Sequence, residues 1–592
     1  MRFLNLYKTV ILWLKKHLSS RQFLIISSII VGLTAGLAAV LLKSVVHLIH
    51  SLLTQDYGFS AQKYIILVFP VIGIVLTVAY IKIFLKGNFG RGAAHILSTI
   101  ARRSGLIERS TMYSHIITSA LTVGFGGSAG LEAPIVVTGS AIGSNYSRIN
   151  LIDYRDRTLL IGCGAAAGIA AVFNAPIAGV MFALEVLISE VTITSFIPLI
   201  IAAATGALCS EIILQERILL TFKMVPVFNY MNVPYYLALG ILTGIVSLYY
   251  ARMFYRIEDM FKPLQSRNYL KAVVGGAMLS LLVFLFPSLL GEGYSSIMVL
   301  TSGNTDKLFE RSLFYEFRHN EWFVIAFVGV ISLIKVIATG FTLGSGGNGG
   351  NFAPSLFVGA YLGYSFSRLV NLLNISNLPV NNFTIVGMAG IMSGVMYAPL
   401  TGIFLIAEVT GGYGLMIPLM IVSALTYAIV NHFEPYSMDT KELARSGFLD
   451  TRDRNILRLI STSELIETDF QAIKSHATIH DLVQTISHSK RNLFPVVDEE
   501  NKLLGIISLE SIRELLFELE SYRDMLAVEL MNRPQAIVEI SEEMSSVMKK
   551  FDDTGAWNLP VVDDQKKYVG FVSKSGIFSS YRGQIISSSR LR

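Results

Sequence analysis

An all-α polytopic membrane domain, made of two related halves and followed by a smaller soluble α/β region, is the fold class this sequence predicts. Three observations carry it. Hydrophobic residues make up 52% of the chain and charged ones 15%, well below the quarter usual in soluble domains. Apolar runs near spanning length recur at Phe23–Leu42, Tyr64–Phe84, Tyr235–Tyr250, Ala272–Phe286 and Phe323–Ile337. Two glycine-rich stretches also look like copies, GSAGLEAP (Gly127–Pro134) and GSGGNGGNFAP (Gly344–Pro354). Each is followed by a matching apolar segment, NAPIAGVMFALEV (Asn174–Val186) and YAPLTGIFLIAEV (Tyr397–Val409).

At the N-terminus, Arg2, Lys8, Lys15, Lys16 and Arg21 appear before the first long apolar run with no acidic residue among them. That bias places the N-terminus in the cytoplasm. The short apolar core Val10–Leu14 runs straight into two lysines and has no small-residue cleavage site, so a secretory signal is not expected. Leu4–Leu18 reads instead as an amphipathic interfacial helix. The net charge of +6 reflects cytoplasmic loops such as the one holding Arg102, Arg103 and Arg109. No aromatic interleaving marks a nucleic-acid surface. Cys163 and Cys209 lie in apolar segments without CxxC spacing and read as small buried residues. The ten histidines form no metal-binding cluster. No nucleophile motif, Walker loop or dinucleotide fingerprint is present, so an enzyme is not expected.

In the duplicated stretches, Ala175, Pro176, Gly179, Glu185 and Val186 fall on Ala398, Pro399, Gly402, Glu408 and Val409 at one constant offset. Matched Gly- and Pro-broken segments of this kind point to a site near the bilayer midplane. Glycines remove side chains so that backbone N–H groups can face a cavity, and Pro134 and Pro354 suit a first helical turn. A glycine loop leading into a helix start presents free amides and a positive dipole end to an anion. Close packing through small residues is the plain alternative, but it explains neither the Pro spacing nor the duplication. Glu132 is the candidate gate. An ionisable group inside an apolar segment costs about 2.5–3.5 kcal/mol and usually serves a pathway. Its carboxylate can take the anion's place among the amides and leave on protonation. Glu185 and Glu408, placed alike in the two copies, read as structural acceptors for amides of a neighbouring helix. Lys335 is a further intramembrane charge, either drawing anions or pairing with a carboxylate such as Glu408.

After Arg445 the long apolar runs stop. From about residue 469 two modules share a pattern: helix-like stretches Ile479–Ser487 and Glu542–Phe551, then LFPVVDEENKLLGIISLESI (Leu493–Ile512) and LPVVDDQKKYVGFVSKSGIF (Leu559–Phe578). Short β-branched VVD strands bounded by charged turns read as hairpin partners. This resembles a tandem pair of cystathionine-β-synthase-type (CBS) domains, many of which bind adenine nucleotides. The position that often holds an Asp for the ribose is Ser511 in the first module and Gly576 in the second.

Taken whole, the chain resembles the CLC family of chloride channels and chloride/proton antiporters with cytoplasmic CBS domains. The family's Gly-Arg/Lys-Glu-Gly-Pro motif falls on Gly130-Leu131-Glu132-Ala133-Pro134, and its GxFxP motif on Gly350-Asn351-Phe352-Ala353-Pro354. Its GSGIP motif falls on Gly90-Arg91-Gly92-Ala93-Ala94. The segment that brings a Tyr to the anion falls on Ser437–Lys441, with Asp439 in the Tyr position. The resemblance implies a CLC-type inverted-repeat fold and anion contacts from Gly130, Leu131, Ala133, Asn351, Phe352, Ala353, Arg91 and Asp439. Glu132 and Asp439 are the candidate proton-relay residues; a rotated segment bringing Tyr436 to the path is the alternative for Asp439. The antiporters' internal relay glutamate is replaced here by Val186, which tilts the expectation toward a passive chloride channel gated by protonation or displacement of Glu132. Chloride/proton antiport is the alternative. A nucleotide-responsive membrane sensor is the rival of another class, and a divalent-metal carrier lacks the Asp/Glu cluster that Mg²⁺ needs.

The expected organisation is an N-terminal segment at 1–20, a pore domain at 21–445 with repeats at about 21–230 and 231–445, a linker at 446–468, and CBS domains at 469–530 and 531–592. A homodimer in the plasma (cell inner) membrane with both termini cytoplasmic is implied. Chloride is the ligand, no cofactor is required, and adenine nucleotide at the CBS pair is a candidate.

Overall fold

The structure, a computed structural model, describes residues 17–54, 67–87, 89–188, 193–214, 228–264, 266–303, 305–310, 312–441, 461–513, 515 and 525–580. The expected interfacial helix Leu4–Leu18 lies outside them except for its last two residues. The chain divides into two compact units, Met1–Arg445 and Ser446–Arg592.

Among the described residues of the first unit, seven helices are long and apolar enough to cross a membrane, and shorter apolar helices accompany them. The duplication is visible as a repeated order. A helix (Thr111–Gly124; Glu321–Gly344) leads through a glycine loop into a second (Glu132–Ile149; Phe352–Leu372). A third follows (Tyr154–Phe173; Val380–Met396), then a short fourth (Pro176–Phe182; Pro399–Val409). The second and third helices of each copy cross at backbone contact. A Cβ on Gly139 would stand 2.1 Å from the carbonyl oxygen of Gly164, and one on Gly359 would stand 2.3 Å from that of Gly387. Small residues give membrane helices this approach.

The turn between third and fourth helices repeats too. Asn174 (φ 53°) and Tyr397 (φ 58°) end their helices in the left-handed region, and Pro176 and Pro399 then occupy the first turn of the next. Asn tolerates this conformation, whereas Tyr rarely adopts it. Tyr397 is tied down by a hydrogen bond from its hydroxyl to the carbonyl of Glu434. Cys163 and Cys209 are buried free thiols.

The second unit holds two three-stranded sheets of one design. In the first, β1 (Ile473–Lys474) runs parallel to β2 (Leu493–Val497), which pairs antiparallel with β3 (Leu503–Ser508). In the second, β4 (Val538–Glu539), β5 (Asn558–Val562) and β6 (Tyr568–Ser573) repeat that order. Both hairpins carry an irregularity at the VV pair and turn through a left-handed residue, Asn501 or Lys566. The turn chemistry matches as well: Asp498 accepts from the Lys502 N–H and Asp563 from the Lys567 N–H, both at 2.8 Å. Helices Ile479–His488 and Met544–Thr554 cover separate apolar cores.

Candidate functional site

The two glycine loops are bonded to each other. Gly130 and Gly350 form an antiparallel bridge, each N–H donating to the other's carbonyl at 2.9 Å. Ser128 N–H donates to Thr342 Oγ1 at 3.1 Å and, reciprocally, Asn348 N–H donates to Thr122 Oγ1 at 2.9 Å. Gly127 and Gly347 return their N–H groups to the carbonyls of Thr122 and Thr342. This corrects the expectation for Gly130, whose amide is engaged in the bridge and cannot also hold an anion. Neither position has room for a side chain: a Cβ on Gly130 would run into Glu132 Oε2 and Ala353, and one on Gly350 would stand 2.6 Å from the Ala133 Cβ. The amides open toward the cavity begin two residues later, at the helix starts of Glu132–Ile149 and Phe352–Leu372, where first-turn N–H groups lack intrahelical partners.

Between these helix starts lies a cavity of about 30 Å³, room for one or two waters or a small ion. Glu132, Ala133, Asn351, Phe352 and Asp439 line it, with Ala93 from the start of helix Gly92–Arg103 and apolar walls including Val136, Ile169 and Phe182. Five expected residues therefore meet at one place. Leu131 and Ala353 sit directly behind it. Leu131 caps the first helix, and Ala353 places its N–H near the Glu132 carboxyl. Glu132 is 1% exposed. Its Oε1 accepts from the Tyr294 hydroxyl at 2.6 Å, and its Oε2 has no well-aligned hydrogen-bond partner among the described residues. The carboxylate thus stands among backbone groups suited to a halide.

Asp439 lines the same cavity, its carboxylate beside Gly92. Tyr436 is 47% exposed and is not in the cavity wall, so the rotated-segment alternative does not hold. Arg91 is also outside the wall; its Nη1 donates to the carbonyl of Leu343 at 2.9 Å. That bond braces the end of the helix preceding the second glycine loop. Ala93, two residues on, takes the place in the cavity that Arg91 was expected to hold.

Glu185 and Glu408 cap one another's repeats. Glu185 accepts from the N–H groups of Leu400 and Thr401, both at 2.8 Å, and from the Thr401 hydroxyl at 2.7 Å. Glu408 accepts from Ile177 N–H at 3.0 Å and Ala178 N–H at 2.8 Å. Each carboxylate satisfies orphan amides at the start of the other's short helix, as expected of structural acceptors. Val186 packs against the apolar core. Lys335 does not meet Glu408. It is fully buried, donating to the carbonyls of Gly291 (2.9 Å) and Leu289 (3.3 Å) beneath the Phe357 ring.

Sequence reasoning missed the segment Leu289–Tyr294, which supplies Tyr294 to Glu132 and the carbonyls to Lys335. It belongs to neither duplicated stretch, and LGEGY has no apolar periodicity to single it out. Tyr250, whose hydroxyl donates to Asn351 Oδ1 at 3.0 Å, was likewise hidden inside a spanning run.

In the soluble unit Ser511 is exposed and bonds the backbone carbonyl of Ser508. Beside Gly576, the Ser573 hydroxyl donates to Glu467. A Cβ on Gly576 would lie 3.4 Å from Glu467 Oε1, so a carboxylate from a different segment occupies the space an Asp there would use. Glu467 also pairs with Arg491 at 2.6 Å, and Arg491 makes two hydrogen bonds to Asp469. The Arg491 guanidinium holds the Asp469 carboxyl below the ordinary range.

Two glycine-loop helix starts converging on a small cavity, with a buried carboxylate between them, define an anion-handling membrane protein. The chain matches the family described as voltage gated chloride channel over residues 73–431 and the CBS domain family over 463–518 and 527–583. It belongs to the CLC family, is an integral multi-pass membrane protein and carries tandem CBS domains. It is 28% identical over 389 residues to a putative chloride channel protein ClcB-like of Ralstonia nicotianae, covering 64% of this chain and 86% of that one. It is also 28% identical over 411 residues to the H(+)/Cl(-) exchange transporter ClcA of Vibrio cholerae, covering 67% and 84%. The crystal structure of a slow cyanobacterial Cl-/H+ antiporter superposes with a TM-score of 0.62 at 21% identity, covering 73% of this chain and 99% of that one.

Proposed function

We propose that this protein moves chloride across the membrane by exchange for protons, with Glu132 as both gate and proton carrier. The observation that carries the reading is the cavity itself. Glu132 and Asp439, two carboxyl groups, face one small space bordered by two helix N-termini. An ionised Glu132 competes with chloride for the amides; a protonated one leaves them to the halide. Val186 cannot carry a proton, and that absence favoured a passive channel in the sequence. Asp439 offers a carboxyl on the cavity wall instead, which removes the reason for that preference. The name of the Vibrio relative agrees with exchange, and the name of the Ralstonia relative keeps the channel reading in view.

The protein is a homodimer of the plasma (cell inner) membrane with both termini cytoplasmic, each subunit with its own pore. The CBS pair regulates or braces it.

Reconstituted protein in liposomes, with chloride efflux and external pH recorded together, tests this. Uphill proton movement driven by the chloride gradient, lost in Glu132→Gln and in Asp439→Asn, is expected. Chloride efflux without proton movement restores the channel, and no anion flux overturns the pore.

A further inference from the structure

We propose that Glu292 is a second proton site for the Glu132 gate, the two carboxyl groups sharing one proton. This rests on the gating role proposed for Glu132. The geometry begins with segment Leu289–Tyr294, strapped over the first glycine loop. Gly291 N–H donates to Gly126 O, Lys335 Nζ holds the carbonyl of Gly291, and Gly293 turns the chain at φ 95° with Phe357 against it. Tyr294 then opens a helix and donates to Glu132 Oε1. The strap therefore sets the Glu292 backbone two residues before the donor to Glu132. Its carboxylate faces the N–H of Leu131, the residue next to Glu132, and lies within electrostatic reach of Glu132, Lys43 and Lys335. Glu132 Oε2, buried and without a partner among the described residues, is the free end of the pair. Glu292 is half-buried, less enclosed than Glu132.

Two carboxylates held together in a water-poor site do not both ionise, and they titrate as one unit. When the proton passes from the Glu292 carboxyl to the Glu132 carboxylate, one O–H bond breaks and another forms. The pair's net charge stays at minus one. The charge moves to Glu292, where the Leu131 N–H and the ammonium groups of Lys43 and Lys335 receive it. Neutral Glu132 then leaves the amides as chloride arrives. The ionisable groups facing the pair are Tyr294, Lys43, Lys335 and, across the cavity, Asp439.

The test is the pH profile of chloride efflux from liposomes holding the full-length protein. Removing the Glu292 charge removes the repulsion that favours a protonated Glu132. In Glu292→Gln or Glu292→Ala, the pH of half-maximal efflux therefore falls by about one unit or more. Glu292→Asp restores the wild-type midpoint. In Glu132→Gln the acid-dependent limb disappears, and adding Glu292→Gln changes nothing further. A wild-type midpoint in both neutral variants overturns the pair while leaving the gate intact. An unchanged profile in Glu132→Gln overturns the gate and the pair together.

Discussion

The two glycine loops share their bridge, their threonine acceptors and their turn geometry, and they part at the residue that starts the next helix. In the first copy that residue is Glu132 and in the second it is Phe352. Where the copies agree, as at Glu185 and Glu408, the side chains hold amides and build the scaffold. Where they disagree, the proposed chemistry gathers: the Glu132 carboxylate, its Tyr294 donor, and Asp439, which lines the cavity from a segment outside the matched stretches. Symmetry here separates what supports the site from what acts in it.

The largest test is Glu132→Gln beside Phe352→Leu. The first is expected to abolish proton coupling completely in paired chloride and pH recordings. The second is expected to alter chloride affinity alone. Coupling lost in both would erase the contrast between the copies. Next come Glu185→Ala and Glu408→Ala, each removing the acceptor for two first-turn amides at a cost of about 1–3 kcal/mol. Thermal unfolding of the purified protein should show Glu185→Ala as the worse, since Glu185 also accepts from Thr401. If one variant lost transport at full stability, that glutamate would belong with the chemistry.

Thr122→Val and Thr342→Val probe the reciprocal loop bonds. About 1–2 kcal/mol is expected for each, more for Thr122 because it also bonds Thr77. Equal losses in unfolding experiments would remove that asymmetry. The smallest effect is in the soluble unit. Arg491 lowers the Asp469 pKa in the folded state. The stability this contributes is present above the unfolded carboxyl value, near pH 4, and is lost as pH falls through the lower folded value. Wild type and Asp469→Asn should therefore converge in acid. A difference persisting below the folded value would rule out the Arg491 linkage.

Much of this molecule was legible in its sequence because the duplication exposes it twice. Glu132 stood out as a charge in an apolar segment, and Glu185 and Glu408 declared a structural role by their equivalence. The CBS hairpins announced themselves through their VVD strands and charged turns. What stayed hidden depends on tertiary partners that local pattern does not encode. No periodicity says that Gly130 will pair with Gly350 and withdraw its amide, or that Lys335 will turn to backbone carbonyls. Tyr294 and Glu292 come from a short connecting segment whose importance exists only once it is folded over the first loop. Arg91 was placed by motif, and the bond to Leu343 draws it away from the cavity that Ala93 reaches.

The Gly130–Gly350 bridge also bears on how the protein can move. Many inverted-repeat carriers rock one half against the other to expose a site alternately. Here such rocking would first have to tear the paired backbone bonds and the reciprocal threonine contacts that join the two copies. The halves behave as a single stitched frame, and access to the ion has to change by the swing of individual side chains within it.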